Sequence, residues 1–185
     1  MIINLLLLIW LISEVLLSFR RRAAKVRRRK GRLGSVVLVW IVIVGSIFAA
    51  NASLFLDPQR FPGNSSVYTL IASIFILAGI GIRWWAIITL GRFFSVDIAL
   101  QEQHQIVQEG PYRWIRHPAY TGLLIIFLGM GIAFNNWLSF LLIVGPITTL
   151  FLYRIKIEED ALSEELGTAY LEYRKKTKRL LPGIF

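Results

Sequence analysis

Five long apolar runs dominate this chain and decide what it can fold into. They extend from Ile2 to Phe19, Leu33 to Leu56, Val67 to Leu90, Tyr120 to Phe134 and Trp137 to Tyr153. A helix needs about 20 apolar residues to cross the hydrocarbon of a bilayer. The second and third runs are long enough and the first is marginal. The last two are short and separated by only Asn135 and Asn136, which predicts a tight helical hairpin. With 56% hydrophobic residues in 185, a soluble domain could not hide this surface in one core. The expected fold class is all-α: an integral membrane helical bundle of about five transmembrane helices with a cytosolic C-terminal helical segment. If the final pair is re-entrant, four spans remain.

The placement of charge sets an expected topology. The net charge is +10, and nine basic residues lie between Arg20 and Arg32, with seven more between Arg154 and Arg179. Arg83, Arg92, Arg113 and Arg116 lie between the third and fourth spans or at their edge, whereas the polar link between spans two and three carries only Arg60. Five spans put every basic residue but Arg60 on one side. The positive-inside rule makes that side the cytosol and leaves the N-terminus outside. The first run has no charged segment before it and a basic cluster after it, so it reads as a signal anchor rather than a cleaved signal peptide. Glu14 within it is costly in lipid, which predicts a place near the headgroups or an Arg partner.

Several function classes are excluded. The basic cluster sits between two spans, where topology and anionic headgroups account for it better than nucleic acid. The chain has no Cys and two His, His104 and His117, and no cluster of acids and His at ligand spacing, so no metal site is expected. Gly79 and Gly81 lie inside the third span with no preceding strand, so they form no dinucleotide loop.

The chemistry concentrates after Leu90. Residues 1–90 read as three spans, mainly a lipid-facing wall; residues 91–185 carry two spans, the functional segments and C-terminal helices. Gly91 to Pro118 is a 28-residue segment between spans, rich in apolar and aromatic residues. Loops of that length are usually functional or disordered, and this composition predicts a folded piece against the cytosolic mouth. The last span has no proline after Pro146 until Pro182, which predicts helix continuing to Leu166, a C-cap at Gly167 and a short helix from Thr168 to Lys176. The apolar tail from Leu180 to Phe185 would fold back onto the bundle or the membrane.

Three groups of residues converge. His104-Gln105-Ile106-Val107 is followed by Glu109-Gly110-Pro111-Tyr112. Arg116-His117-Pro118-Ala119-Tyr120 opens the fourth span, with Pro118 suited to a first helical turn and His117 beside free backbone N–H groups that favour anionic ligand groups. Arg154 and Glu158, with Glu159, lie just beyond the fifth span, and the i, i+4 pair shares a face. Singly, these residues could mark the membrane boundary, form a surface ion pair or serve as belt aromatics. Together, under a structured loop, they make what a pocket at the membrane surface requires.

At these residues the chain resembles the isoprenylcysteine carboxyl methyltransferase family, a relative of the phospholipid N-methyltransferases. The resemblance rests on His104 to Tyr120, with Gly110, Tyr112, Arg116, His117, Pro118 and Tyr120 in register. It continues in Arg154, Glu158-Glu159, Leu162, Gly167, Tyr170, Tyr173 and Pro182, covering roughly residues 83 to 182. It implies S-adenosylmethionine as methyl donor. It also implies that His104, Gln105, Ile106 and Val107 line the adenosine end, that Tyr112 covers it, and that His117, Pro118, Ala119 and Tyr120 meet the methionine part. Glu158 would bind the donor's amino group, with Glu159 beside it, while Arg154 would face the acceptor and Arg116 would join it as a catalytic candidate. One departure is Asp97, where family members often carry Gln; Gln101 and Gln103 are nearby.

The residues suit that use. Methyl transfer from a sulfonium is a direct displacement that needs alignment and exclusion of water. A carboxylate acceptor needs no base, only an anchor, and Arg is suited to that. An amine acceptor would have to lose a proton, and Glu158 or Glu159 would be nearest. The implied partners are the membrane and a lipid or prenylated substrate, small molecule or protein, with no nucleic acid. Alternatives are a phospholipid amine or thiol methyltransferase, an NADPH-dependent sterol-type reductase, or a non-enzymatic membrane scaffold.

Overall fold

The structure, a computed structural model, describes residues 2–20, 26–27, 33–56, 60–94, 100–101 and 106–183. Six α-helices dominate them: α1 (Ile2–Arg20), α2 (Leu33–Leu56), α3 (Ser65–Leu90), α4 (Pro118–Ala133), α5 (Trp137–Leu166) and α6 (Thr168–Lys176). Short 3-10 turns follow α3 (Gly91–Phe93) and precede α4 (Gly110–Arg113), and Val26–Arg27 pairs antiparallel with Leu100–Gln101. Among the described residues, three helices contain a stretch long and apolar enough to cross a membrane, namely Val37–Leu56, Ser65–Leu90 and Trp137–Leu166; Ile2–Leu17 and Pro118–Ala133 are shorter apolar helices. At 1.5 Å per residue, the 16-residue α4 is about 24 Å long, short of the ~30 Å hydrocarbon thickness.

The helix ends follow from local sequence. Asn64 caps α3 by accepting from the Ser66 amide at 2.8 Å, and Asn136 caps α5 by accepting from the Ser139 amide at 2.8 Å. Between α4 and α5 the chain reverses through Asn135, which takes φ +50°, a left-handed conformation that Asn tolerates better than most side chains. This gives the expected hairpin. Gly167 ends α5 at φ +55°, and α5 runs unbroken through Pro146. Its 30 residues reach about 45 Å, so its polar end extends well past α4.

Backbone contact between α3 and α4 sets the centre of the bundle. A Cβ added to Gly79 would lie 2.6 Å from the Gly122 carbonyl oxygen, and one on Gly129 would lie 2.9 Å from the Ala72 carbonyl oxygen. The two small-residue pairs are seven positions apart on each helix and run antiparallel, so the helices meet where side chains are absent. The core then forms around α4: Ile126, Phe127 and Met130 pack with Trp10 of α1, Ile43 and Ala50 of α2, and Ile143, Ile147 and Phe151 of α5. At one end, Ser139 donates or accepts at 2.9 Å with Ser53, and Phe61 donates its amide to Asn135. The opposite end, where α4 begins and α5 outruns it, gathers the polar residues.

Glu14 pairs with Arg83, as one of the two expectations for it held. Arg83 Nη2 donates to Glu14 Oε2 at 2.7 Å, and both residues are buried.

Candidate functional site at the polar end of the bundle

The site is built on the start of α4. Gly110 opens the preceding 3-10 turn at φ +53°, and a Cβ there would lie 2.8 Å from Thr89 Oγ1; both facts call for glycine. The turn buries Pro111 and Tyr112. Residues 114–117 then pair with the C-terminal segment. Lys178 N donates to Trp114 O at 3.0 Å, Arg116 N to Lys178 O at 2.8 Å, and His117 N to Arg179 O at 3.1 Å. Thr121 Oγ1 adds a bond to Leu180 O at 2.9 Å. The tail therefore clips onto α4 as far as Leu180, which is buried, whereas Leu181, Pro182 and Gly183 are exposed.

A buried carboxylate ties this clip to α5. Glu159 accepts from Arg116 Nε at 2.8 Å and from Arg179 Nη2 at 2.8 Å, and its Oε1 stands 3.3 Å from His117 Nε2. Arg116 also donates to the carbonyls of Arg174 and Thr177 at the end of α6. One ionic cluster thus joins the entry to α4, the polar end of α5, α6 and the tail. Arg116 and Glu159 spend their hydrogen bonds here. Arg179 and Thr177 complete the cluster, although the sequence offered only charge to mark Arg179 and nothing to mark Thr177.

A second group lies beside the first. Tyr120 of α4 lies close enough to Arg154 and Glu158 of α5 to feel both charges. Arg154 is buried and Glu158 half-buried. The Tyr120 ring is 5.8 Å from His117 and 5.5 Å from Phe151 between centroids. Tyr112 enters from the 3-10 turn and is held from α6, because Tyr173 Oη donates to its carbonyl at 2.8 Å. Tyr170, 6.1 Å from Tyr173 between rings, is buried, and its hydroxyl has no hydrogen-bond partner among the described residues.

Burial pushes the phenols of Tyr112, Tyr170 and Tyr173 above their ordinary value. Glu158 adds to this at Tyr112, Glu159 and Glu158 add to it at Tyr170, and Arg116 offsets it at Tyr173. All three stay neutral near pH 7 and keep a proton to donate, which Tyr173 gives to the Tyr112 carbonyl. The half-buried Glu158 carboxylate therefore acts on phenols from two separate elements: Tyr112 and Tyr170.

Of the remaining expected residues, Pro118 is buried in the first turn of α4, Ala119 is half-buried, and Ile106 and Val107 are half-buried in the chain before the turn. His104 and Gln105 lie outside the described residues, as do Asp97 and Gln103. Among the described residues, no three His, Asp or Glu side chains are grouped to hold a metal ion.

Comparison with known proteins matches this architecture. The model of the isoprenylcysteine carboxyl methyltransferase (ICMT) family matches residues 70–164, from the first turns of α3 almost to the end of α5. The chain belongs to the ICMT family. Protein-S-isoprenylcysteine O-methyltransferase B of Arabidopsis thaliana is 31% identical over 139 residues, 64% of this chain and 71% of that protein. A probable protein-S-isoprenylcysteine O-methyltransferase of Oryza sativa subsp. indica is 34% identical over 116 residues, 62% of this chain and 61% of that one. The matched stretch is thus less than two thirds of the rice protein. A solved structure of the eukaryotic intramembrane Ras methyltransferase ICMT shares the fold, with a TM-score of 0.61 and 24% identity over 85% of this chain and 55% of that one. With three apolar helices of spanning length among the described residues, the ICMT fold here is that of an integral membrane protein. The family match leaves out α1, α2 and α6; the sequence marks Tyr170 and Tyr173 of α6, whereas the bonds made by Thr177 and Arg179 come from the geometry.

Proposed function

We propose that the protein transfers a methyl group from S-adenosylmethionine to a lipophilic acceptor, the carboxylate of an isoprenylcysteine-like substrate. The observation that carries this is the meeting of Tyr120, Arg154 and Glu158 at the head of α4, inside the stretch matched by the family. The donor set fits the cofactor's chemistry. Glu158 offers a carboxylate to a cationic amino group, and neutral phenols at Tyr112 and Tyr170 offer donors to a carboxylate or to ribose hydroxyls. The partnerless buried hydroxyl of Tyr170 is satisfied by such a ligand, since a buried polar group is otherwise costly. His117, Pro118 and Ala119 form the floor at the helix entry. Ile106 and Val107 belong to the adenosine side.

The cofactor, when bound, supplies an electrophilic methyl. The protein's part is alignment and exclusion of water. Arg154 anchors the acceptor carboxylate with its fork of donors. Tyr120, beside both Arg154 and Glu158, stands between acceptor anchor and donor anchor. Arg116 and Glu159 hold the wall on which these residues stand. On this reading α1 to α5 all cross the membrane with the N-terminus outside and the active site facing the cytosol. Residues 91–185 form the cofactor-binding half, and the acceptor enters from the bilayer.

Calorimetry on detergent-purified protein tests the donor assignment. S-adenosylhomocysteine binds and Glu158→Gln weakens it by at least roughly tenfold, the effect of losing one charge-assisted contact. Binding of NADPH in place of S-adenosylhomocysteine would sink the methyl-transfer reading.

A further inference from the structure

The ion pair between α1 and α3 lies outside the candidate site but reaches its edge. Glu14 and Arg83 are 8% and 6% exposed. Arg83 meets the carboxylate with two nitrogens, Nε to Oε1 and Nη2 to Oε2. Such a pair is a poor way to hold two apolar helices together, because desolvation offsets much of the Coulombic attraction. Its distinctive property is that a guanidinium nitrogen remains for another partner. Arg83 Nη1 donates to the Ala119 carbonyl at 3.2 Å, in the first turn of α4 between Pro118 and Tyr120. The guanidinium also stands over the Phe94 ring, 5.9 Å from its centroid, where the chain leaves α3 for the segment bearing His104 and Gln105. Leu17, Ile87 and Phe94 cluster around this point with Ala119 packed against them. The stem of Arg83 is confined as well, since a Cβ at Gly122 would sit 2.8 Å from the Arg83 Cβ.

We propose that Glu14 is a positioning residue for the methyl-donor site: it aims the Arg83 guanidinium at the Ala119 carbonyl and so fixes the turn that presents His117 and Tyr120. This makes α1, which lies outside the stretch matched by the family model, part of the working site and not only lipid-facing wall. The inference rests on the donor reading above.

Two full-length variants test it. Glu14→Gln keeps the shape and one acceptor but removes the charge; Glu14→Asp keeps the charge on a shorter arm. Each is compared with the parent for S-adenosylhomocysteine affinity, for KM and kcat with a prenylated cysteine acceptor, for melting temperature, and for hydrogen exchange of the first-turn amides of α4 without ligand. Glu14→Gln is expected to raise the donor Kd and donor KM roughly tenfold, to leave acceptor KM unchanged, and to speed exchange at the start of α4. Glu14→Asp is expected to recover most of the loss. A lower melting temperature with donor Kd and KM within about twofold of the parent would make the pair a stability element only and overturn the proposal. So would failure of both variants to fold. If the parent itself binds no S-adenosylhomocysteine, the donor reading fails and the inference with it; the exchange result then shows separately whether Glu14 holds the turn.

Discussion

Replacing Gly122 with Ala should damage both the fold and the site, and the structure sets the size of the effect. A Cβ at position 122 would lie 2.7 Å from the Gly79 carbonyl oxygen and 2.8 Å from both the backbone nitrogen and the Cβ of Arg83. These distances are about 0.7 Å or more inside optimal van der Waals separation. The opposing atoms are backbone or attached directly to it, so no side chain can rotate away and α3 must move from α4. Overpacking of this kind costs typically about 1–3 kcal/mol. At about 2–4 °C per kcal/mol for a chain of this size, the melting temperature should fall by several degrees. Gly81→Ala is the matched control, because nothing lies within 4 Å of its added Cβ and alanine favours helix by about 1 kcal/mol over glycine. Thermal unfolding of both variants in one detergent gives the comparison, with donor affinity measured beside it. Gly122 is one turn from Pro118, so donor affinity should fall in Gly122→Ala and hold in Gly81→Ala. Equal melting temperatures for the two variants would refute the backbone-contact account of the α3–α4 packing.

Other expectations separate stability from ligand contact. Tyr173→Phe removes the bond to the Tyr112 carbonyl and should cost about 1 kcal/mol of stability. Tyr170→Phe removes a hydroxyl without a described partner, so the melting temperature should hold or rise while donor affinity drops severalfold; the reverse pattern would put the hydroxyl outside the ligand site. Glu159→Gln leaves Arg116 and Arg179 without their carboxylate and should destabilise by about 3 kcal/mol, near the lower end for a broken buried pair because Arg179 is partly exposed. Faster amide exchange across residues 177–180 would report release of the tail. Arg154→Ala should lower turnover of a prenylated cysteine at least about tenfold with donor affinity unchanged, and unchanged turnover would remove Arg154 as the acceptor anchor.

The parts of this molecule legible in its sequence are those governed by neighbours along the chain. Helix α5 past Tyr153, its stop at Gly167, the turn at Asn135 and Asn136, and Pro118 opening α4 all follow from local rules, and the structure has them. The sharing of a face by Arg154 and Glu158 is equally local. The partner of Glu14 was legible only as a type, because the 69-residue separation from Arg83 leaves no periodic trace. Glycines in an apolar run signal close approach without naming what approaches, so the meeting of Gly79 with Gly122 needed the fold. The ionic cluster was hidden for the same reason: Arg116, Glu159 and Arg179 come from three elements, and the sequence marked Arg179 only as one charge among seven. The Tyr173 bond to the Tyr112 carbonyl could not be read from side-chain types, since its acceptor is backbone.

The most direct test of the account is methyl transfer itself. Purified protein in lipid vesicles is supplied with S-adenosylmethionine carrying a labelled methyl group and with a prenylated cysteine whose carboxylate is free. The account predicts label in a base-labile methyl ester of that cysteine, lost in Glu158→Gln. Label found only in vesicle phospholipid amines, or no transfer from a preparation that binds S-adenosylhomocysteine, would contradict it.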